Sequence, residues 1–192
     1  MSLFIKYLFI LFCFCLCLAR NYRFLYVPRT CFRILALFFT VCADYFLLFT
    51  DLYLTGVFLF CIVQYCYSIF LGNRSIFLTL PLLFVFVYTD SIVLMALLYI
   101  LYLCMNIYGA YRTEMHWFMS ALILMLLCDI HVGLANLPCY LPLHSNTLLH
   151  TWCSLSAYIF WFFYLPSQLM ISLIRPNVRE KVHIVLPKSS CS

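Results

Sequence analysis

Asp44 and Asp129 are the residues of this chain whose type and setting point most directly to chemistry. Each closes a similar apolar stretch, Ala36-Leu-Phe-Phe-Thr-Val-Cys-Ala-Asp44 in one case and Ala121-Leu-Ile-Leu-Met-Leu-Leu-Cys-Asp129 in the other. An ionisable group deep in such a segment is costly and marks a functional position by default. Two carboxyl groups facing one wet cavity can divide labour, one as a protonated general acid and the other as a carboxylate. Such a pair can protonate a substrate and guide water to the resulting cation. The alternative is that each aspartate locks neighbouring helices, for example through Tyr164 or Gln168. Further polar residues sit mid-segment, namely Gln64, Tyr65, Tyr67, Tyr99, Tyr164, Ser167 and Gln168. The spacing of Tyr164 and Gln168 puts them on one helical face.

Metal chemistry is not expected. A zinc hydrolase needs about three protein ligands at one depth. His131 is two residues from Asp129 and faces elsewhere, His116 falls at the inner edge, and His144 and His150 fall at the outer edge. Cys13, Cys15 and Cys17 alternate, and alternate residues of a helix point roughly 200° apart. Most of the 12 cysteines lie in apolar stretches, where Cys behaves as a small hydrophobe. Cys139 and Cys153 are the pair whose positions would allow a disulfide. No cofactor is expected.

The elements that carry these residues follow from composition. Of 192 residues 67% are apolar, 9% are charged and the mean hydropathy is +1.08. Soluble domains are roughly 25% charged. The 17 charges here (11 basic and 6 acidic) cannot make a polar skin. Disordered, collagenous, coiled-coil and secreted disulfide-scaffold classes are excluded on the same grounds. A polytopic membrane protein remains. A helical span takes about 20 residues, so about seven fit, with short loops and no soluble catalytic domain. Apolar segments fall at 3–18, 31–50, 52–71, 75–88, 91–111, 116–137 and 148–174. They are too long for strands of a lipid-facing barrel. The fourth is short and holds Pro81, and only Thr89-Asp90 separates it from the fifth. One helix over 75–111 would be about 55 Å long at 1.5 Å per residue, too long for a single crossing.

Placing the N-terminus outside puts Arg20, Arg23, Arg29 and Arg33 in the first loop. With Arg74, Arg112 and the four basic residues of the tail, ten of eleven basic residues then lie inside, Lys6 excepted. This is the positive-inside asymmetry, so the net charge of +5 is a topology signal and nucleic acid is not an expected partner. The first segment reads as an uncleaved anchor, because Ala19-Arg20-Asn21 is a poor cleavage site. The sequon Asn73-Arg74-Ser75 falls on the inner side, against the membrane, where glycosylation is not expected. The two aspartates stand 85 residues and four spans apart, which suggests a three-plus-one-plus-three parallel repeat with binding between the repeats near the midplane. The expected fold class is therefore all-α. It is a polytopic transmembrane bundle of about seven spans over 1–174, N-terminus outside, followed by a short basic cytoplasmic tail over 175–192.

At these residues the chain resembles the YhhN-like family, the membrane lysoplasmalogenases. Ala43-Asp44-Tyr-Phe-Leu47 is similar to the family's Gly-Asp-x-x-Leu helix. Gly56-Val-Phe-Leu-Phe60 with Gln64-Tyr-Cys-Tyr67 is similar to its Gly-x-x-x-Phe-x-x-x-His-x-x-Tyr helix. Tyr99 through Met105, Cys128-Asp129 and Tyr164-Leu-Pro-Ser-Gln168 are similar to the later Tyr…Met, Ser-Asp and Tyr-x-x-Ala-Gln helices. Asn136 lies about one residue from a frequent family Asn. The family His is replaced by Gln64, which can hydrogen-bond but cannot carry a proton near neutral pH. The family usually has eight spans, one more than this chain shows.

The resemblance implies hydrolysis of the vinyl ether of a lysoplasmalogen to a fatty aldehyde and a glycerophospho-base. Asp44 and Asp129 would be catalytic, with Gln64, Tyr67, Tyr99, Asn136, Tyr164 and Gln168 positioning them or the substrate. The partners would be a lysophospholipid and the bilayer of the endoplasmic reticulum or a bacterial inner membrane. Two other readings fit the same spans, a small seven-span transporter and an inactive lipid-binding relative.

Overall fold

The computed structural model describes residues 3–73, 91–136 and 148–174, without side chains at 148–150. Among them are six α-helices, a short 3-10 turn at Tyr22–Phe24, and no strand. The helices are α1 (Leu3–Asn21), α2 (Pro28–Phe49), α3 (Tyr53–Leu71), α4 (Ile92–Arg112), α5 (His116–Asn136) and α6 (Leu148–Leu173). Five segments are long and apolar enough to cross a membrane: Leu3–Phe24, Pro28–Phe49, Tyr53–Leu71, Ile92–Arg112 and His116–Asn136. The segment expected at 148–174 is helical as α6 but is not among the five. The segment expected at 75–88 lies outside the described residues, as do Pro81 and the whole basic tail at 175–192.

Local chemistry sets the helix ends. Pro28 opens α2 after the extended Val27, a position where the missing N–H costs nothing. The Ser91 hydroxyl caps α4 by accepting from the Leu94 N–H at 3.4 Å. α3 stops at Gly72, which takes a left-handed φ of 78° that glycine adopts without strain. Pro166 lies inside α6 without ending it, which membrane helices tolerate.

Each helix packs on the next, and α6 packs back on α1, so the six form a closed ring. The tightest neighbours are α2 with α3 and α5 with α6. At the α2–α3 crossing, Gly56 faces Ala43 and Leu47, and a Cβ on Gly56 would stand 2.6 Å from the Leu47 side chain. Small residues of this kind let membrane helices approach closely.

The direction of α4 is decided by its contacts with α3. Cys61 meets Met95, Phe60 meets Tyr99, Tyr65 meets Tyr102, Ser68 meets Asn106, and Leu71 meets Gly109. The two sets of numbers rise together, so α3 and α4 run parallel. The end of α3 and the start of α4 therefore lie at opposite ends of the bundle.

Polarity is arranged inside out relative to a soluble protein. Phe162 is 78% exposed, Phe4 60% and Leu97 59%, whereas Arg33, Thr40, Gln64, Ser68, Asn106 and Gln168 are at most 1% exposed. An apolar outer face suits lipid, and polar side chains as interhelical glue suit its interior. The expectation for Arg33 needs correction here. It is not a loop residue but stands in the second turn of α2, fully buried, and its guanidinium donates to the carbonyl of Ile174 at the end of α6. That carbonyl belongs to a helix terminus with unsatisfied acceptors, which gives the guanidinium a reason to turn inward.

Candidate functional site

α2 and α5 each deliver one aspartate to the interior, and each meets a tyrosine from another helix. The Tyr164 hydroxyl of α6 donates to Asp44 Oδ2 at 2.5 Å. The Tyr99 hydroxyl of α4 donates to Asp129 Oδ2 at 2.8 Å. Asp44 is 5% exposed and Asp129 is half-buried. The two carboxylates lie close enough for their charges to interact, with Cys128 near both. Among the described residues neither Oδ1 takes part in a hydrogen bond. Each aspartate thus has one oxygen held by a phenol and one left for other work. Tyr7 of α1 also lies within electrostatic reach of Asp44.

The antiparallel run of α2 and α6 sets what lies deeper. One turn inward from Asp44 is Thr40, and one turn inward from Tyr164 is Gln168, so these two share a level. Thr40 spends its hydroxyl on the carbonyl of Ala36 at 3.0 Å. Both polar atoms of the Gln168 amide are buried and, among the described residues, have no hydrogen-bond partner. Tyr67 is fully buried in edge-on contact with Phe118, at 5.3 Å between ring centres. Its hydroxyl faces Thr40 but, among the described residues, makes no hydrogen bond of ordinary geometry.

The other sequence-derived residues are placed differently. Gln64 belongs to an α3–α4 lock: Asn106 Nδ2 donates to its side-chain oxygen and to its backbone carbonyl, each at 2.9 Å, while Ser68 Oγ donates to Asn106 Oδ1. The Tyr65 and Tyr102 hydroxyls, 3.2 Å apart, extend the same seam. Asn136 is exposed at the end of α5, and its amide bonds back to the Val132 carbonyl at 2.8 Å. The structure does not bring it to the carboxylates. His131 faces α6, where its ring stacks on Phe163 and its Nδ1 lies 3.1 Å from the Ser156 hydroxyl.

Arg33, Asn106, Thr40 and Ser68 are among the interior polar residues that sequence reasoning missed. Arg33 falls two residues inside the second apolar segment, and Asn106 falls inside the fifth. Both could have been found by weighing every polar group within a span, not only the acids. Among the described residues no group of three or more His, Cys, Asp or Glu is placed to hold a metal. Cys153 is a free, buried thiol, and Cys139 lies outside the described residues.

No protein-family model, curated protein or solved structure matches the chain.

Proposed function

We propose that this chain is an integral-membrane hydrolase of the lysoplasmalogenase type, cleaving the vinyl ether of a lysoplasmalogen with Asp44 and Asp129. The observation that carries this reading is the pairing itself. Two intramembrane carboxyl groups from different helices lie within electrostatic reach, each with a tyrosine on Oδ2 and with Oδ1 unengaged.

The chemistry needs only these groups and water. One carboxylic acid transfers its proton to the β-carbon of the vinyl ether, leaving an oxocarbenium ion. The other, as carboxylate, stabilises that cation and takes a proton from the water that adds to it. The hemiacetal so formed collapses to a fatty aldehyde and a free glycerol hydroxyl. Tyr164 and Tyr99 fix the carboxyl planes. The apolar outer face of the bundle suits a substrate that arrives from the lipid.

The closed ring also supports a parallel repeat. A half-turn about the ring axis carries α1–α2–α3 onto α4–α5–α6, the tight pair α2–α3 onto α5–α6, and Asp44 toward Asp129. Seven spans, with the N-terminus outside and the five described arginines at the cytoplasmic end, complete the reading.

A second reading is an inactive lipid-binding relative. It is favoured by Gln64, whose amide oxygen is engaged by Asn106 and which stands where the resembled family has a proton carrier. The deciding experiment is aldehyde release from lysoplasmalogen by the chain purified in detergent, with Asp44→Asn and Asp129→Asn beside it. We expect each variant to lose at least about 100-fold in rate, the scale of a general acid–base contribution. Undiminished release from both variants would overturn the carboxylate mechanism, and bound but uncleaved substrate in the unaltered chain would favour the second reading.

A further inference from the structure

Lys6 is the basic residue that falls outside the expected charge asymmetry of the chain, and its place in the fold supplies a reason. It stands in the first turn of α1, on the face by which that helix packs. Ile10, Cys13 and Cys17 follow it at helical spacing and are at most 1% exposed. Phe4, Leu8 and Phe12 turn the other way and are exposed. A lysine that only marked a membrane interface would carry its ammonium out to water. Here the side chain is half-buried, and Nζ lies 4.1 Å from the ring centre of Trp161 and 6.0 Å from that of Phe160, both on α6. Among aromatic rings Trp offers a cation the most attractive face, and the attraction grows as the pair loses water. Trp161 is 8% exposed.

Trp161 leads on to the aspartate pair. Tyr164, three residues along α6, shares its face. The two rings meet edge-on, 5.8 Å apart at an interplanar angle of 78°, and the Tyr164 hydroxyl donates to Asp44. Ile10, Val41, Cys128, Trp161 and Tyr164 form one packed cluster, with Tyr7 against it. That cluster joins α1, α2, α5 and α6 around the residues that carry or hold the two carboxyl groups. Of the seams in the ring, α1–α6 is the loosest, so one polar tie weighs more there than elsewhere.

We propose that Lys6 is a positioning residue for Asp44. Its ammonium fixes the Trp161 ring, and Trp161 fixes the Tyr164 ring whose hydroxyl sets the carboxyl group. The same tie seats the first turn of α1 against α6 beside the aspartate pair. The assignment rests on the reading of Asp44 as a working carboxyl group, but its test needs no turnover.

The test is the rate at which dicyclohexylcarbodiimide, a lipid-soluble reagent for carboxyl groups in apolar surroundings, modifies each aspartate of the full chain purified in detergent. Mass spectrometry of the two peptides reads Asp44 and Asp129 separately. Lys6→Met keeps an unbranched side chain and removes the charge. It should raise the rate at Asp44 about fivefold, the shift that losing one cation–π contact allows. The rate at Asp129, which Tyr99 of α4 holds, should not change. Lys6→Arg should behave as the unaltered chain does, because a guanidinium also lies well on an aromatic face. Tyr164→Phe keeps the ring and should raise the Asp44 rate by itself. Lys6→Met added to it should do nothing more, since residues acting through one contact are not additive. Asp129 separates positioning from a loosened fold, which would raise both rates together. An unchanged Asp44 rate in Lys6→Met, equal rises at both aspartates, or a further rise when Lys6→Met is added to Tyr164→Phe would overturn the proposal. Aldehyde release from the unaltered chain is measured apart from this and decides the hydrolase reading alone.

Discussion

Tyr164 and Tyr99 place one phenolic hydroxyl on each interior aspartate, so they are positioning residues if the pair is catalytic and locks if it is not. Interhelical hydrogen bonds within membranes contribute about 0.6 kcal/mol on average and about 1.7 at most. Tyr164→Phe and Tyr99→Phe should therefore each lower stability in detergent by about 1 kcal/mol, measured by chemical or thermal unfolding. A loss of several kcal/mol would show that the tyrosines chiefly hold the fold. Under the hydrolase reading they should also lower the rate of aldehyde release with little change in KM. Asp44, Asp129, Tyr99 and Tyr164 were legible in the sequence, because a polar group in an apolar run is conspicuous. Which tyrosine would reach which aspartate was not legible, since Tyr164 and Asp44 are 120 residues apart. Arg33 was misread because its neighbours Arg20, Arg23 and Arg29 form a basic loop pattern that absorbs it. Only packing against the end of α6 turns it inward.

At the scale of the elements, the closest approach is between α2 and α3. A Cβ at Gly56 would come within 2.6 Å of two Leu47 atoms and 3.3 Å of the Ala43 carbonyl. Gly56→Ala should cost about 1–3 kcal/mol through overpacking, visible as a lower melting temperature. Gly133 is the control, because a Cβ there meets nothing within 4 Å. Gly133→Ala should be neutral or slightly stabilising, since alanine has the better helix propensity. Equal effects at both sites would mean that propensity, not the α2–α3 contact, governs. The helix bounds were nearly readable from hydropathy: 52–71 was expected where Tyr53–Leu71 is helical, and 116–137 where His116–Asn136 is. The start of α2 was placed three residues late, because Arg29 and Arg33 look like loop residues until their surroundings are seen.

For the whole molecule, the parallel run of α3 and α4 bears on topology. The five described arginines (Arg20, Arg23, Arg29, Arg33 and Arg112) gather at one end of the ring and Lys6 at the other. Under the proposed seven-span reading the two chain ends face opposite sides, the C-terminal one cytoplasmic. A fluorescent protein fused after Ser192 should therefore mature in the cytoplasm, while an N-terminal epitope tag should be reached by antibody only from the other side. Tags accessible from one side alone would exclude an odd number of spans. Composition by itself excluded a polar skin, since 17 charges in 192 residues cannot supply one, and the length of the apolar segments then selected helices over strands. Hydropathy located the six described helices to within three residues at each end, because burial in lipid and burial in protein select the same residue types. Tertiary structure alone decided that the described helices close into a ring, that Asp44 and Asp129 come within reach of each other, and that Arg33 lies inside, its guanidinium turned to the end of α6. Those facts depend on which helix faces which, and outward-facing and inward-facing apolar side chains look alike in a sequence when the solvent is itself apolar.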